Sequence, residues 1–546
     1  MTLMTLMTLS IRTTMSDVRT TLALFGAAIA IAATACGTDG PEASTPPQND
    51  ATHEDTSDAE TDATPDALDR DGEPAQDPDG SDPDTAGEAL PRADGEPCVD
   101  AGECAGGTCL GPADGFPEGM CTYADCTSRR DCTGDERACL RGEFNGNLCV
   151  ALCNDDADCR HGYECITLGA GAYCYPAYVG DALNPECGSE LLGGTTVENP
   201  FGRNTAPLDR HRLSFDIGDD TTAFTIVAWD RRRRIFPDRV IAPDGTELNI
   251  YDYHNYYFTP LLLETISPLL IPAGPQYASL IQPGTYAAEF GMETGAGEGL
   301  CHMILEETAG LEPTDERLYL DVNFYFVGVR DLSAADAAED SDFLDMLGAF
   351  DTAYAQANVQ LGDVRYFDVL GDVAERFQIL RDSSAIGDLV QLARQPGASR
   401  DELLSVNVFF VRGFAGEMSG TLGVSSGIPG VPGVHGSPGS GLVFSAGSLG
   451  SARGNVLVGQ TLAHEVGHFL GLFHTTELRG QGADQFEDTP ICEDIGQGGN
   501  RNCPDVSNLM FPTAGWSGVA EISPGQAMVI RANPLTKVRP RTSAPE

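Results

Sequence analysis

Apolar positions divide the chain into stretches of different kinds. Leu22 to Ala33 is a short apolar run behind Arg19. It is too short for a membrane span and has the length of a signal-peptide core. Residues 37–97 carry almost no large apolar side chains. From 187 to about 308 the apolar residues come in short strand-like runs. Leu213 to Ile217 alternates apolar and polar, and Phe224 to Trp229 is β-branched and aromatic. Pro243-Asp244-Gly245-Thr246 and Pro283-Gly284 punctuate them as turns. Repeated strands without helical periodicity predict a β-sandwich over 187–308. Beyond 315 the periods mix. Leu318 to Val329 alternates as a strand, Asp342 to Val359 has amphipathic helical spacing, and Leu404 to Val411 is a second apolar strand. Gly441 to Ser445 predicts an edge strand, to which an extended peptide can add. Val456 to Ala463 is apolar and continues into a further helix.

Charge narrows the function. The formal net charge is −50, from 82 acidic and 32 basic residues. A protein that tracks phosphates needs a basic surface, so nucleic acid is excluded as a partner. Electrostatic docking on an anionic membrane is excluded in the same way. Residues 37–97 hold 19 acidic against 2 basic residues. Such a segment cannot offset its ordering entropy and reads as a disordered acidic spacer.

Seventeen Cys point to an oxidising compartment, and the odd count sets one apart. The apolar run ends Ala33-Thr34-Ala35-Cys36-Gly37, which resembles the lipobox of bacterial lipoproteins, whose Cys is acylated. With Cys36 lipidated, sixteen Cys remain to pair. Cleavage after Ala35 and simple secretion is the alternative. The expected location is the cell envelope, as an outer-membrane lipoprotein facing outward, or otherwise the extracellular medium. Any membrane contact would run through that N-terminal lipid.

Twelve Cys between 98 and 174 form three units: 98, 104, 109, 121; 126, 132, 139, 149; and 153, 159, 165, 174. No Cys-x-x-Cys occurs in them, so disulfides are expected rather than zinc. Units of this size need such staples, and each allows three connectivities. The layout resembles Cys-rich repeats of secreted bacterial proteins, which implies an adhesion or spacer module at 98–176. Cys187 and Cys301 flank the sandwich and are expected to pair. Arg231 to Arg234 reads as a solvated loop.

The chemistry lies in His464-Glu465-Val466-Gly467-His468-Phe469-Leu470-Gly471-Leu472-Phe473-His474, which holds three of the nine His. On a helix His464 and His468 lie one turn apart and can reach one metal ion. Glu465 points elsewhere and is free to act on a water at the metal. Gly471 permits the positive φ that ends a helix, and His474 then returns as third ligand. Three protein ligands with an open fourth position are the arrangement of catalytic zinc.

This motif resembles the signature of the metzincin clan of zinc endopeptidases. Within the clan, residues 315–535 resemble the pappalysin family. The resemblance implies an α+β catalytic domain over 315–541, with a mixed sheet and an active-site helix. It makes Met510, in Asn508-Leu509-Met510, the Met-turn, and implies a disulfide between Cys492 and Cys503. Asp488-Thr489-Pro490 matches the family's Asp-Thr-Pro, and Ser523-Pro524-Gly525-Gln526 its late helix start. Asp484, Glu487 and Asp488 become candidates for a Ca2+ site, beside Zn2+ at the histidines. Pro512 stands where the family often has Tyr.

The whole chain therefore reads as a multidomain protein of disulfide-rich repeats, β-sandwich and catalytic domain. The expected function is a secreted or surface-anchored zinc endopeptidase acting on internal peptide bonds of extracellular proteins or peptides. The alternative is an adhesion lipoprotein with an inactive protease-like domain.

Overall fold

The computed structural model describes residues 91–538, apart from 177–185, 198–207, 250–264, 294–299, 392–402, 478–482, 493–502, 514–519 and a few shorter gaps. The signal peptide, Cys36 and nearly all of the acidic spacer lie outside the described residues.

Each Cys-rich unit closes on a short antiparallel hairpin that carries its third and fourth Cys. These face one another across the strands: Cys109 and Cys121, Cys139 and Cys149, Cys165 and Cys174. Neither bonds to its neighbour. The third Cys bonds to the first and the fourth to the second in every unit, which selects one of the three connectivities. Phe116 and Met120 of the first unit share an apolar cluster with Leu140, Leu148 and Val150 of the second and Tyr163 and Tyr175 of the third.

Two antiparallel sheets follow. The strands are β1 (Glu186–Cys187), β2 (Glu190–Val197), β3 (Leu208–Ile217), β4 (Ala223–Trp229), β5 (Ile235–Ile241), β6 (Glu247–Asn249), β7 (Ile266–Ile271), β8 (Gly284–Glu293) and β9 (Cys301–Glu307). One sheet has the order β7-β4-β9-β1, the other β6-β5-β8-β3-β2. Phe224, Ile226 and Ala228 of β4 meet Leu213, Phe215 and Tyr286 between the sheets. The alternate residues of β4, Val227 and Trp229, are equally buried, in the core of the C-terminal part. Leu270 of β7 and Met303 and Leu305 of β9 join them. This sheet is thus covered on both faces, which explains why Phe224 to Trp229 lacks the polar alternation of a half-exposed strand. The Cys187–Cys301 disulfide joins β1 to β9 at paired positions. Of the Arg run, Arg233 pairs with Asp230 and Arg234 with Glu293; Arg231 and Arg232 lie outside the described residues.

The C-terminal part is built on a mixed sheet. Its elements are β10 (Leu318–Val327), α1 (Ser341–Tyr354), β11 (Val359–Val369), α2 (Gly371–Phe377), α3 (Ser384–Val390), β12 (Val406–Val411), β13 (Gly423–Ser425), β14 (Gly441–Ser445), α4 (Ala452–Leu470), α5 (Pro524–Ala532) and β15 (Thr536–Lys537). The order is β11-β10-β12-β14-β13, parallel except for β13, and β15 adds antiparallel to β10. Phe324, Phe326, Val408, Phe410, Leu442 and Phe444 face α1 and α4 in one core. Tyr325, Phe409 and Val443 face the other side.

Two expectations shift. The helix predicted to Val359 stops at Tyr354, because Asn358 takes a left-handed conformation (φ 54°) and β11 starts at Val359. Gly441 to Ser445 is an inner strand, not the edge. Its residues are buried on both faces, and the short β13, too glycine- and serine-rich to read as a strand, covers its outer side.

Arg531 ties the link between the two sheets and β10 to the end of α1. It is fully buried and donates to the carbonyls of Gly310, Glu316 and Ala357.

Candidate metal centre

Helix α4 carries the motif into the core. Ser451 caps it by accepting from the Gly454 N–H. It ends at Gly471, whose φ of 114° is open to glycine at little cost. The Gly471 N–H bonds to the His468 carbonyl and the Leu472 N–H to the Gly467 carbonyl, the paired bonds of a Schellman motif. This reversal sends the chain back, and His474 joins the two helical histidines.

The three Nε2 atoms converge. His474 Nε2 lies 3.2 Å from that of His468 and 3.3 Å from that of His464. Three nitrogens at tetrahedral angles and about 2.0–2.1 Å from a zinc ion would be about 3.3 Å apart. Each ring is fixed from behind at Nδ1. His464 Nδ1–H donates to the Leu509 carbonyl and His468 Nδ1–H to the Leu472 carbonyl, both at 2.7 Å. His474 Nδ1 faces Glu477 Oε2 at 3.2 Å. Carbonyls only accept, so the proton of His464 and His468 sits on Nδ1 and the Nε2 lone pairs point at one spot. Burial, with the neighbouring His474, pushes His464 down to about 3, and burial first of all holds His468 well below its usual value. His464 and His468 therefore stay neutral, while His474, against its burial, is raised by the Glu477 carboxylate. The three converging nitrogens suit a divalent metal ion, which would take the place of a proton at His474.

Met510 lies beneath this group. A Cβ on Gly467 would stand 2.7 Å from its sulfur, so Gly467 is the gap into which the Met-turn fits. The turn is pinned by Asn508, whose Oδ1 accepts from the Met510 N–H and from Gln526 Nε2. Gln526 also caps α5 with Ser523, which gives the Ser-Pro-Gly-Gln segment its role. The Thr475 N–H bonds to the Met510 carbonyl, and the Thr475 and Thr476 hydroxyls both donate to Asp505. Cys492 and Cys503 are bonded beside them.

Glu465 is buried under the short edge strand. The Ser425 N–H donates to its carboxylate, and a Cβ on Gly423 would lie 2.5 Å from its Cγ. Burial raises its carboxyl to about 7, against the opposing pull of His474 and the Ser425 N–H.

Other sites expected from the sequence resolve differently. Asp484, Glu487 and Asp488 do not converge: among the described residues they form no cluster of ligand atoms within 4.8 Å. Asp488 accepts from Ser523 and Gly525 at the start of α5, Glu487 is exposed, and Asp484 accepts from Thr489 and the Phe486 N–H. One buried oxygen each of Asp484 and Asp505 has no partner. His435 stands apart from the metal group. Its Nε2–H donates to the Leu403 carbonyl, and Asn407 donates to its Nδ1. Gly423, Ser425 and Glu477 were missed as functional. For Glu477 a signal exists, a carboxylate one turn after the last histidine.

Residues 406–509 match the peptidase M43 family, whose model is described as pregnancy-associated plasma protein-A. No curated protein matches the chain. Among solved structures the chain is similar to metalloproteinase-II from Bacteroides fragilis at 13% identity, over 39% of this chain and 58% of that one, with a TM-score of 0.20. The chain thus spans less than two thirds of that protein's length. The class that this match points to for the segment is that of the metalloproteases. The matched segment, which carries the histidine cluster, is thus similar to the pappalysins.

Proposed function

We propose that this protein is a zinc-dependent endopeptidase of the metzincin type that cuts internal peptide bonds of proteins or peptides. One observation carries the reading: three imidazoles bring their Nε2 atoms to one point with spacings of 3.2 and 3.3 Å. Bound there, zinc would polarise a carbonyl and make water acidic enough to attack near neutral pH. Glu465 takes the proton from the attacking water at its carboxylate and returns it to the leaving amine. Its raised affinity for protons lets it do both near pH 7. The Ser425 N–H beside it favours the charged carboxylate. The outer edge of β13 offers backbone groups to which an extended substrate can add.

The protein would act outside the cytoplasm, secreted or anchored through Cys36, with the acidic spacer holding the enzyme away from the membrane. The disulfides fit such a compartment. Calcium at Asp484 is a lesser part of the proposal, supported by the two unpartnered oxygens of Asp484 and Asp505. The intact Glu465 favours an enzyme over a binding protein with a lapsed site.

Metal analysis and cleavage of casein test the proposal. One zinc per chain and chelator-sensitive cleavage are expected. Glu465→Gln should keep the zinc and lose cleavage by at least about 100-fold, in the range of general-base removal. Full activity of that variant, or a chain that takes up no zinc, would overturn the reading.

A further inference from the structure

The three metal-facing rings are not braced alike. His464 and His468 are held by the carbonyls of Leu509 and Leu472, groups fixed by the Met-turn and the helix end. Neither contact can be withdrawn without undoing the fold around it. His474 is held by a side chain, Glu477 Oε2, at 3.2 Å. That side chain sits at the rim, 44% exposed, while the His474 side chain is 11% exposed. A carboxylate that accepts from Nδ1–H turns the ring toward the metal and makes Nε2 a stronger donor. It also adds negative charge beside the ligands, where a backbone carbonyl adds only a dipole.

We infer that Glu477 is a positioning residue for His474 and sets how tightly the centre keeps its metal. This rests on the zinc reading above. Two ligands form a rigid floor, and the third is adjustable through one rim carboxylate. Glutamine at 477 could still accept from Nδ1–H but would carry no charge. Alanine would leave His474 without its brace.

The test uses the full chain, stripped of metal and titrated with zinc against a chromophoric chelator at fixed pH. Glu477→Ala should weaken zinc binding by about 10- to 100-fold, and Glu477→Gln should fall between it and the wild type. The cobalt-substituted Glu477→Ala variant should show an altered visible spectrum, because the third nitrogen is no longer held in register. Its metal-free melting temperature should equal that of the metal-free wild type. Equal zinc affinity in wild type and Glu477→Ala would overturn the inference and leave the zinc reading standing. A metal-free variant that melts well below the metal-free wild type would also overturn it, by making Glu477 a fold residue. A wild type that binds no zinc would overturn the zinc reading itself, and this inference with it.

Discussion

Gly423 faces Glu465 at a distance no side chain could share. An added methyl would stand 2.5 Å from Glu465 Cγ and 3.0 Å from Phe444 Cδ2. Phe444 is locked in the core, so the carboxylate must give way. Gly423→Ala is expected to lower kcat by about 10- to 100-fold, the scale of a displacement near 1 Å. Zinc content should stay unchanged, and metal analysis beside steady-state kinetics separates the two. His435 gives a second expectation at this scale. Burial, with the charge of Arg365, pulls its imidazole down from 6.5 to about 4. Between those pH values the unfolded chain binds a proton that the folded one refuses. Stability present above pH 6.5 is therefore lost as pH falls toward 4, by about 3 kcal/mol. Denaturant unfolding of metal-free protein at pH 7 and pH 4.5 should show this slope. His435→Gln should be less stable throughout and lack that part of the slope.

At the level of elements, what was legible depended on how far the chemistry reaches along the chain. The spacing of His464, His468, Gly471 and His474 is local, fixed by one helix and its reversal, so it could be read from residue order alone. The Met-turn was legible through the family pattern, though the reason for Gly467 was not. That reason is a sulfur 43 positions further on. The edge strand was misplaced because Gly423 to Ser425 carries no strand signature. It becomes a strand only by pairing with Gly441 to Ser445. The hold of Ser425 on Glu465 joins residues 40 apart through a backbone N–H, which no side-chain pattern encodes. The acidic residues after His474 show the converse. They are close in sequence, yet Asp488 serves a helix start and Asp484 a threonine.

Over the whole molecule, the sandwich and the C-terminal part look separable in sequence and are joined in structure. Trp229, Leu270, Met303 and Leu305 belong to the same core as Val466, Phe469 and Met510. Leu270 packs against Gly471, where helix α4 ends. Tyr277 hydrogen-bonds Gln485 in the segment after His474. A chain cut to residues 310–546 would lose these partners and expose their apolar counterparts. It should be recovered mostly as aggregate, and its soluble fraction should melt well below the full chain. Yield and thermal melts check this; a well-folded, equally stable fragment would contradict the shared core.

The sheet covered on both faces also imposes an order in time. The chain is made from its N-terminus, so Trp229 and Leu270 emerge long before the helix end and α5 that cover them. Val529 and Ile530 of α5 lie in that late covering, and β15 at Thr536–Lys537 comes after them. The Met-turn and the Asn508–Gln526 pair that braces it also belong to this last stretch. The surroundings of the histidine cluster are thus among the last things to be assembled, and a half-made chain carries the three rings without their support.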